Sequence, residues 1–258
     1  MQALIDFESA AVAGASGRID VDVVAVQGTI AAGKTTLIER ARTDPRRVAR
    51  ELALDADYTD AVVLPEPLHL WRAADNDVLA AMYADVRAHG LRAQKHMART
   101  RLEYLAAEIG ALVPPTGSAR LLVVVERSPR ADRSVFAANM HDAGLIDDLG
   151  WLEYCEAHER ALAVFRERLR QCAAGRALSV CTRATAVLYV GVDEALRRIR
   201  ARGRRCEIDG VARETLAAIH AAHRRVFAAA RWLNTERASA PGCASAPLLP
   251  PPCANVPA

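Results

Sequence analysis

The chain has 258 residues, 52% of them hydrophobic and 25% charged, and a formal net charge of +3. This length can bury a sizeable core in one domain or at most two. The near-neutral charge disfavours a nucleic-acid-binding protein, which is usually more basic, with its charge gathered on one face.

Four apolar runs alternate with helical stretches. The runs, which are predicted strands, lie at 21–26, 61–65, 121–125 and 185–190. The predicted helical stretches are 75–111, 147–175, 193–202 and 211–233. Residues 43–60, which include Pro45, are typical of a loop or a broken helix. Strands buried on both faces and separated by helices indicate a parallel α/β sheet with helices on both sides.

Composition divides the chain into three parts. Residues 1–20 are predicted to be a loose N-terminal extension, 21–235 the folded domain, and 236–258 a Pro/Ala-rich tail that is extended or poorly ordered. No apolar run approaches the roughly 18 residues that cross a bilayer, and residues 1–20 lack the arginine-rich, acid-poor character of a transit peptide. The cysteines show neither close pairing nor metal-ligand spacing, which predicts free thiols in a reducing compartment. We therefore expect a cytoplasmic protein.

The segment after the first predicted strand matches the phosphate-binding pattern G-x-x-x-x-G-K-[ST] and leads into a predicted helix. Its residues, with the one that follows, are Gly28, Thr29, Ile30, Ala31, Ala32, Gly33, Lys34, Thr35 and Thr36. The glycines let backbone N–H groups point at phosphate oxygens, and the helix N-terminus adds its positive end. Lys34 would reach the β- and γ-phosphates and Thr35 would hold Mg²⁺. The loop predicts a nucleoside triphosphate site.

Charged residues stand at the ends of the next two predicted strands. Glu66 follows the second strand, and Glu126 and Arg127 end the third. In open α/β sheets the site lies beyond the carboxyl ends of the strands. A carboxylate there can accept a proton from a substrate hydroxyl or join the Mg²⁺ shell, and an arginine can neutralise charge on a transferred phosphoryl group. Glu66 alone is explained equally well as a solvated acid, but both strand ends beside a phosphate loop favour a site.

An arginine-rich segment follows the fourth strand. Arg198 and Arg202 share a helix face, and Gly203 would end that helix. The segment fits a basic lid over phosphates; a solvated basic helix or a nucleic-acid contact would have the same composition.

A polar stripe marks the long helix that begins near Leu91. Gln94, Met97 and Arg101 lie on one side of it. They could line a pocket for a planar base, with Gln94 pairing with its edge, Met97 setting the width and Arg101 fixing an exocyclic group. A partly exposed face with a snorkelling arginine is the alternative.

Taken together, these motifs resemble the deoxynucleoside kinase family, the group that contains deoxycytidine kinase, deoxyguanosine kinase and mitochondrial thymidine kinase. The resemblance runs from about residue 21 to 232. It rests on the phosphate loop, Glu66-Pro67 with Trp71, Met82-Tyr83 with Gln94, Glu126-Arg127-Ser128 with Asp132-Arg133 and Phe136, and the lid Arg198-x-x-x-Arg202-Gly203-Arg204 with Glu207. It implies a P-loop kinase fold: four or five parallel strands with the loop strand central, helices on both faces and an arginine-rich lid.

The resemblance implies an enzyme that uses ATP and Mg²⁺ to phosphorylate the 5′-hydroxyl of a deoxynucleoside. Glu66 would be the general base, Arg127 would hold the hydroxyl and the incoming phosphoryl group, and Glu126 would help to organise the Mg²⁺ shell. Tyr83 and Glu207 would bind the 3′-hydroxyl. The arginines that would clamp phosphates from the lid are Arg198, Arg202 and Arg204.

The base pocket follows from the same resemblance, with Trp71 and Phe136 as walls and Gln94 pairing with the base. Arg101 and Asp132 occupy the positions of an Arg–Asp pair found in the deoxycytidine and deoxyguanosine kinases. This favours deoxycytidine or purine deoxynucleosides, although Met97 narrows the pocket and leaves thymidine open.

Two further expectations depend on the family. Its dimers form through long helices, here 90–112 and 147–172. Its last parallel strand would fall at the Pro-rich residues 247–252, which predicts a degraded edge strand. Two alternatives stay open: a nucleoside monophosphate kinase such as thymidylate kinase, and a non-catalytic protein that binds nucleotides or nucleic acid.

Overall fold

The computed structural model describes residues 5–54, 57–73, 76–235, 248, 249 and 252. The strands are β1 (Phe7–Ser9), β2 (Arg18–Gly28), β3 (Asp60–Leu64), β4 (Arg72–Ala73), β5 (Asn76–Asp77), β6 (Ala119–Glu126), β7 (Ala177–Tyr189) and β8 (Arg231–Asn234). The first helices are α1 (Lys34–Ala41), α2 (Pro45–Glu51), α3 (Leu68–Trp71), α4 (Val78–Ala84), α5 (Val86–Leu112) and α6 (Pro129–Ala131). A π-helix (Asp132–Ala137) precedes α7 (Ala138–Asp142), α8 (Asp148–Ala173), α9 (Val192–Arg202), α10 (Arg205–Gly210) and α11 (Arg213–Val226).

The main sheet has six described strands, and five of them run parallel in the order β3-β6-β2-β7-β8. The strand that leads into the phosphate loop, β2, is central, as predicted. The carboxyl ends of β2, β3 and β6 therefore meet at one edge, where the loop, Glu66 and Glu126 lie. The α/β class and the four predicted strands are confirmed.

The side chains of β2 alternate between two apolar layers. Val21, Val23 and Ala25 pack with α5 and α8 on one face, and Val24 and Val26 pack with α1, α2 and α9 on the other. Because both faces are covered, the strand reads as a nearly continuous apolar run.

The fifth parallel strand differs from the sequence expectation. It is β8, at Arg231–Asn234, which pairs with Ala186–Tyr189 of β7, so the predicted helical stretch 211–233 ends early, at Val226. The edge strand was wrongly expected at 247–252. From that segment the structure describes 248, 249 and 252, and Pro252 forms an isolated antiparallel bridge to Leu233.

The first twenty residues also differ from expectation, because part of them belongs to the sheet. β1 pairs antiparallel with Leu178–Val180 of β7, and β2 already begins at Arg18. Ile5 and Phe7 are buried. The prediction of a loose N-terminal extension was wrong for these residues because a three-residue edge strand has too little pattern to be recognised.

Most of the predicted tail, 236–258, lies outside the described residues. Leu248 and Leu249 are buried, and their backbone N–H groups donate to the Glu51 carboxylate at 2.8 and 2.7 Å. These two residues are therefore anchored at the end of α2.

Within the described ranges, no helix combines the length and apolar character that a bilayer crossing requires. Cys155, Cys172, Cys181 and Cys206 are free, whereas Cys243 and Cys253 lie outside the described residues.

Candidate active site

The phosphate loop is shaped by residues with positive φ angles. Gly28 has a φ of 138°, and a Cβ there would lie 2.5 Å from the carbonyl oxygen of Leu188. Ala31 and Gly33 have φ values of 60° and 86°. Such angles curl the backbone and turn successive N–H groups toward one concave side.

Lys34 lies buried at the start of α1, and its Nζ donates to the carbonyl oxygen of Thr29 at 2.7 Å. Burial and the nearby positive charge of Arg127 lower its pKa to about 7, against the opposing charges of Glu126 and Glu66. A cationic side chain is thus held in the loop at a cost that an anionic ligand would relieve.

Thr35 and Glu126 form an oxygen-rich pair beside this lysine. Thr35 Oγ1 donates to Glu126 Oε1 at 3.2 Å. Burial and the charge of Glu66 raise the pKa of Glu126, while Lys34 and Arg127 lower it. A hydroxyl and a carboxylate are ligands that Mg²⁺ accepts, with nucleotide phosphates and waters completing its shell, so these two residues fit the predicted metal position.

Two arginines clamp the Glu66 carboxylate. Arg127 Nε lies 2.8 Å and Arg101 Nη2 3.0 Å from Glu66 Oε1. Burial raises the pKa of Glu66, but the charges of Arg127, Arg101 and Lys34 outweigh it and hold the pKa at about 2. Glu66 is therefore an ionised, fixed carboxylate.

Arg127 reaches this position through a strained backbone. Its φ is 65°, a left-handed angle that is uncommon for a residue with a side chain and that concentrates at functional sites. Arg127 Nη1 donates to the Gly28 carbonyl oxygen at 3.1 Å, and its guanidinium lies 4.3 Å from the centre of the Phe136 ring. One residue thus links the phosphate loop, Glu66 and a predicted pocket wall.

Arg101 connects Glu66 to the predicted base-reading pair. Its Nε lies 2.8 Å from Asp132 Oδ2, and its Nη1 donates to the Glu126 carbonyl oxygen at 3.0 Å. Its guanidinium lies 4.9 Å from the centre of the Trp71 ring. Asp132 and Phe136 both lie on the π-helix, an irregular turn that is frequent at functional sites.

The other predicted base residues lie in an adjoining apolar cluster. Trp71 and Met97 pack there with Val78, Met82 and Ala93, and Gln94 Nε2 lies 3.9 Å from the sulfur of Met82. The structure buries Gln94, Met97 and Arg101, so the alternative of an exposed stripe is wrong. Phe136 packs against a different cluster, and its ring faces Arg127 whereas the Trp71 ring faces Arg101.

The lid arginines bind carboxylates and backbone. As predicted, Gly203 ends α9, with a φ of 74°. Arg202 pairs with Glu207, and Arg204 Nη1 lies 3.0 Å from that carboxylate. Arg198 contacts the phosphate loop through the Ala31 carbonyl oxygen, at 3.4 Å. Burial and the charge of Glu207 raise the pKa of Tyr83. Tyr83 lies against Gly210, at the end of the helix that carries Glu207, so the two predicted sugar-binding residues lie on helices that contact each other.

A comparison with known protein families identifies the family of this chain. The family model for deoxynucleoside kinase matches residues 24–240. The chain belongs to the deoxynucleoside kinase family. Its fold and its phosphate loop are accordingly those of a P-loop kinase.

Three relatives illustrate the similarity. A probable deoxycytidine kinase of fowlpox virus (strain NVSL) is 32% identical over 133 residues, which are 52% of this chain and 46% of the relative. Mitochondrial thymidine kinase 2 of Homo sapiens is 29% identical over 135 residues, 52% of this chain and 42% of the relative. Deoxycytidine kinase of Mus musculus is 24% identical over 205 residues, 78% and 73% of the two chains. The chain thus spans less than half the length of the first two relatives.

Three contacts in this deoxynucleoside kinase family member were not predicted from the sequence. Thr100 Oγ1 accepts from the Trp71 indole at 2.9 Å, and Thr235 Oγ1 accepts from Arg198 at 3.2 Å. The buried His223 ring packs edge-on against Phe136, at 5.9 Å between ring centres. None of the three carries a sequence signal, because each acts through a neighbour on another element.

Proposed function

We propose that this protein is an ATP-dependent deoxynucleoside kinase of nucleotide salvage, which transfers the γ-phosphoryl group of ATP to the 5′-hydroxyl of a deoxynucleoside. The observation that carries the proposal is Glu66: one carboxylate oxygen, held 2.8 Å from Arg127 and 3.0 Å from Arg101, beside a phosphate loop. Membership of the family supports the reaction class and ATP as donor.

In the proposed reaction, Glu66 orients the 5′-hydroxyl and accepts its proton. Because a pKa of about 2 makes this carboxylate a weak base, the proton moves late, when the bond to phosphorus has made the hydroxyl acidic. Arg127 and Lys34 stabilise the charge on the transferred phosphoryl group. Mg²⁺, bound by Thr35, Glu126 and the nucleotide, would neutralise phosphate charge.

The proposed acceptor pocket uses the remaining residues. Tyr83 and Glu207 bind the 3′-hydroxyl by hydrogen bonds. The lid arginines bind the phosphates: Arg198, Arg202 and Arg204. The base lies between Trp71 and Phe136, with Gln94, Met97, Arg101 and Asp132 reading it. The Arg101–Asp132 pair favours deoxycytidine or a purine deoxynucleoside. Thymidine remains a candidate substrate, because the relatives include a probable deoxycytidine kinase and a thymidine kinase.

We also propose a cytoplasmic homodimer formed through α5 and α8. The family resemblance supports this assembly, and α8 presents exposed Leu149 and Leu152. Light scattering on the purified protein measures its mass in solution.

The deciding experiment is an acceptor panel with radiolabelled ATP. It contains the four deoxynucleosides, uridine, cytidine and the deoxynucleoside monophosphates, with and without Mg²⁺. We expect turnover of at least one deoxynucleoside. Turnover of monophosphates alone would favour a thymidylate kinase-like enzyme, and steeply salt-dependent oligonucleotide binding without turnover would favour a nucleic-acid-binding protein.

The proposed base is tested by Glu66→Gln. We expect kcat to fall by about 10²–10⁴, with little change in ATP affinity, because the amide cannot accept the proton. Asp60→Asn, at the exposed opposite end of β3, is the matched control and should retain full activity. A loss below tenfold in Glu66→Gln would remove Glu66 from this role.

A further inference from the structure

Gly210 lies where the lid helix α10 touches α4. A Cβ at Gly210 would lie 2.8 Å from Tyr83 Cβ and 3.0 Å from both its Cδ1 and its carbonyl oxygen. Real Cβ atoms essentially never approach another heavy atom to within 3.0 Å, so a side chain at this position would require one of the two helices to shift.

This glycine is not required by its backbone angles. Gly203, which ends α9, has a φ of 74° and open space where a Cβ would lie. Its role is therefore to adopt the left-handed backbone angle. Gly210 is absent from the glycines with positive φ. Its distinguishing property is the close approach to Tyr83.

The Tyr83 side of this contact is fixed. Tyr83 lies in the last turn of α4, and the next helix starts at once: Asp85 donates its N–H to the Ala81 carbonyl oxygen at 3.2 Å and caps α5 by accepting from the Ala88 N–H at 3.0 Å. A shift of the Tyr83 backbone would therefore also disturb the start of α5.

The α10 side is the one that would move, and it carries Glu207. This six-residue helix holds Glu207 between Arg202 and Arg204. A methyl group at Gly210 would shift α10, and Glu207 with it, away from Tyr83.

We propose that Gly210 is a positioning residue for recognition of the sugar 3′-hydroxyl: its missing side chain lets Glu207 and Tyr83 grip the same hydroxyl. The inference rests on the proposed function and adds to it the residue that sets the spacing of this grip.

The test compares the preferred 2′-deoxynucleoside with its 2′,3′-dideoxy analogue, which lacks the hydroxyl in question. Wild-type protein should prefer the 3′-hydroxyl substrate. In Gly210→Ala we expect the ratio of the two kcat/KM values to fall about tenfold through KM, since small displacements in a positioned site are costly, while kinetics with the dideoxy analogue stay within about twofold. Asp209→Ala, exposed on the same helix, is the control and should keep the wild-type ratio.

A double-mutant cycle makes the test specific. In a Tyr83→Phe background, Gly210→Ala should lower the ratio much less than in wild type, because both changes weaken the same grip on the 3′-hydroxyl: one removes the phenol oxygen and the other displaces Glu207. An unchanged ratio in Gly210→Ala, equal losses for both substrates, or loss of its folded circular dichroism spectrum would overturn the role. Failure of the proposed function is separate, because it appears as wild-type protein that phosphorylates no deoxynucleoside.

Discussion

At the scale of single residues, the surroundings of the two carboxylates in the site shift their pKa values in opposite directions. Two arginines and Lys34 hold the Glu66 pKa at about 2, whereas burial and Glu66 itself raise the pKa of Glu126. Glu66 is therefore held ionised by the cations around it, and Glu126 lies beside the Thr35 hydroxyl, where a metal ion would favour its charged form. Different environments for neighbouring carboxylates are a common basis for different roles.

Lys34 leads to a prediction about pH. Its pKa of about 7 in the free protein means that the charge is lost as the pH rises through neutrality. We expect kcat/KM for ATP to fall roughly tenfold per pH unit above about pH 7, since this constant reports groups of the free enzyme. The kcat profile should stay flatter, because bound phosphates favour the charged lysine. Steady-state kinetics between about pH 6 and 9 measure both.

The control for this pH effect is Lys34→Arg, whose guanidinium keeps its charge across this range. Its activity will be lower because the planar guanidinium does not fit the phosphate loop. The decline of kcat/KM above neutral pH should nevertheless disappear. If both proteins show the same profile, another group is responsible.

At the scale of elements, prediction succeeded where packing determines the sequence pattern. The strands β2, β3, β6 and β7 contain apolar runs because they lie between two helical layers. The strands β1 and β8 have only three and four residues, and two residues of each are polar. Their strand conformation depends on pairing with β7, and such context overrides local propensity.

The contribution of β1 is tested by Phe7→Ala. Phe7 is buried, packs edge-on against Phe165 with 6.4 Å between ring centres, and lies under Arg170. We expect the free energy of unfolding to fall by about 2–4 kcal/mol, measured by urea denaturation. Kinetic constants should stay unchanged, because Phe7 pairs with Val180, about 25 Å along β7 from the residues beside the phosphate loop.

The matched control for Phe7→Ala is Val12→Ala, which removes methyl groups from a residue that is 65% exposed. Its effect should stay within about 0.5 kcal/mol. An equally small effect of Phe7→Ala would mean that β1 adds little to stability.

At the scale of the whole molecule, one ionic cluster ties the fold to the site. Glu66 follows β3, Glu126 ends β6 and Asp132 begins the π-helix. Arg101, which lies on α5, contacts all three of these residues. The strand-end residues were predictable because parallel strands bring their carboxyl ends to one edge. The contact of Arg101 with Glu66, in addition to Asp132, was not predictable from the sequence, because it depends on the tertiary placement of α5.

The cluster predicts a specific pattern of stability. The side chains of Arg101 and Asp132 are 4% and 7% exposed, so Arg101→Met leaves a buried carboxylate unpaired and should cost about 3–5 kcal/mol. Arg101→Met with Asp132→Ala removes both charges and should be more stable than Arg101→Met alone, since Glu66 retains Arg127. Urea denaturation at neutral pH measures the variants, and Arg99→Met, on the exposed side of α5, should change stability by no more than about 1 kcal/mol. A double variant no more stable than Arg101→Met would show that the cost comes from lost packing around Trp71, and that the arginine stabilises the fold by its shape more than by its charge.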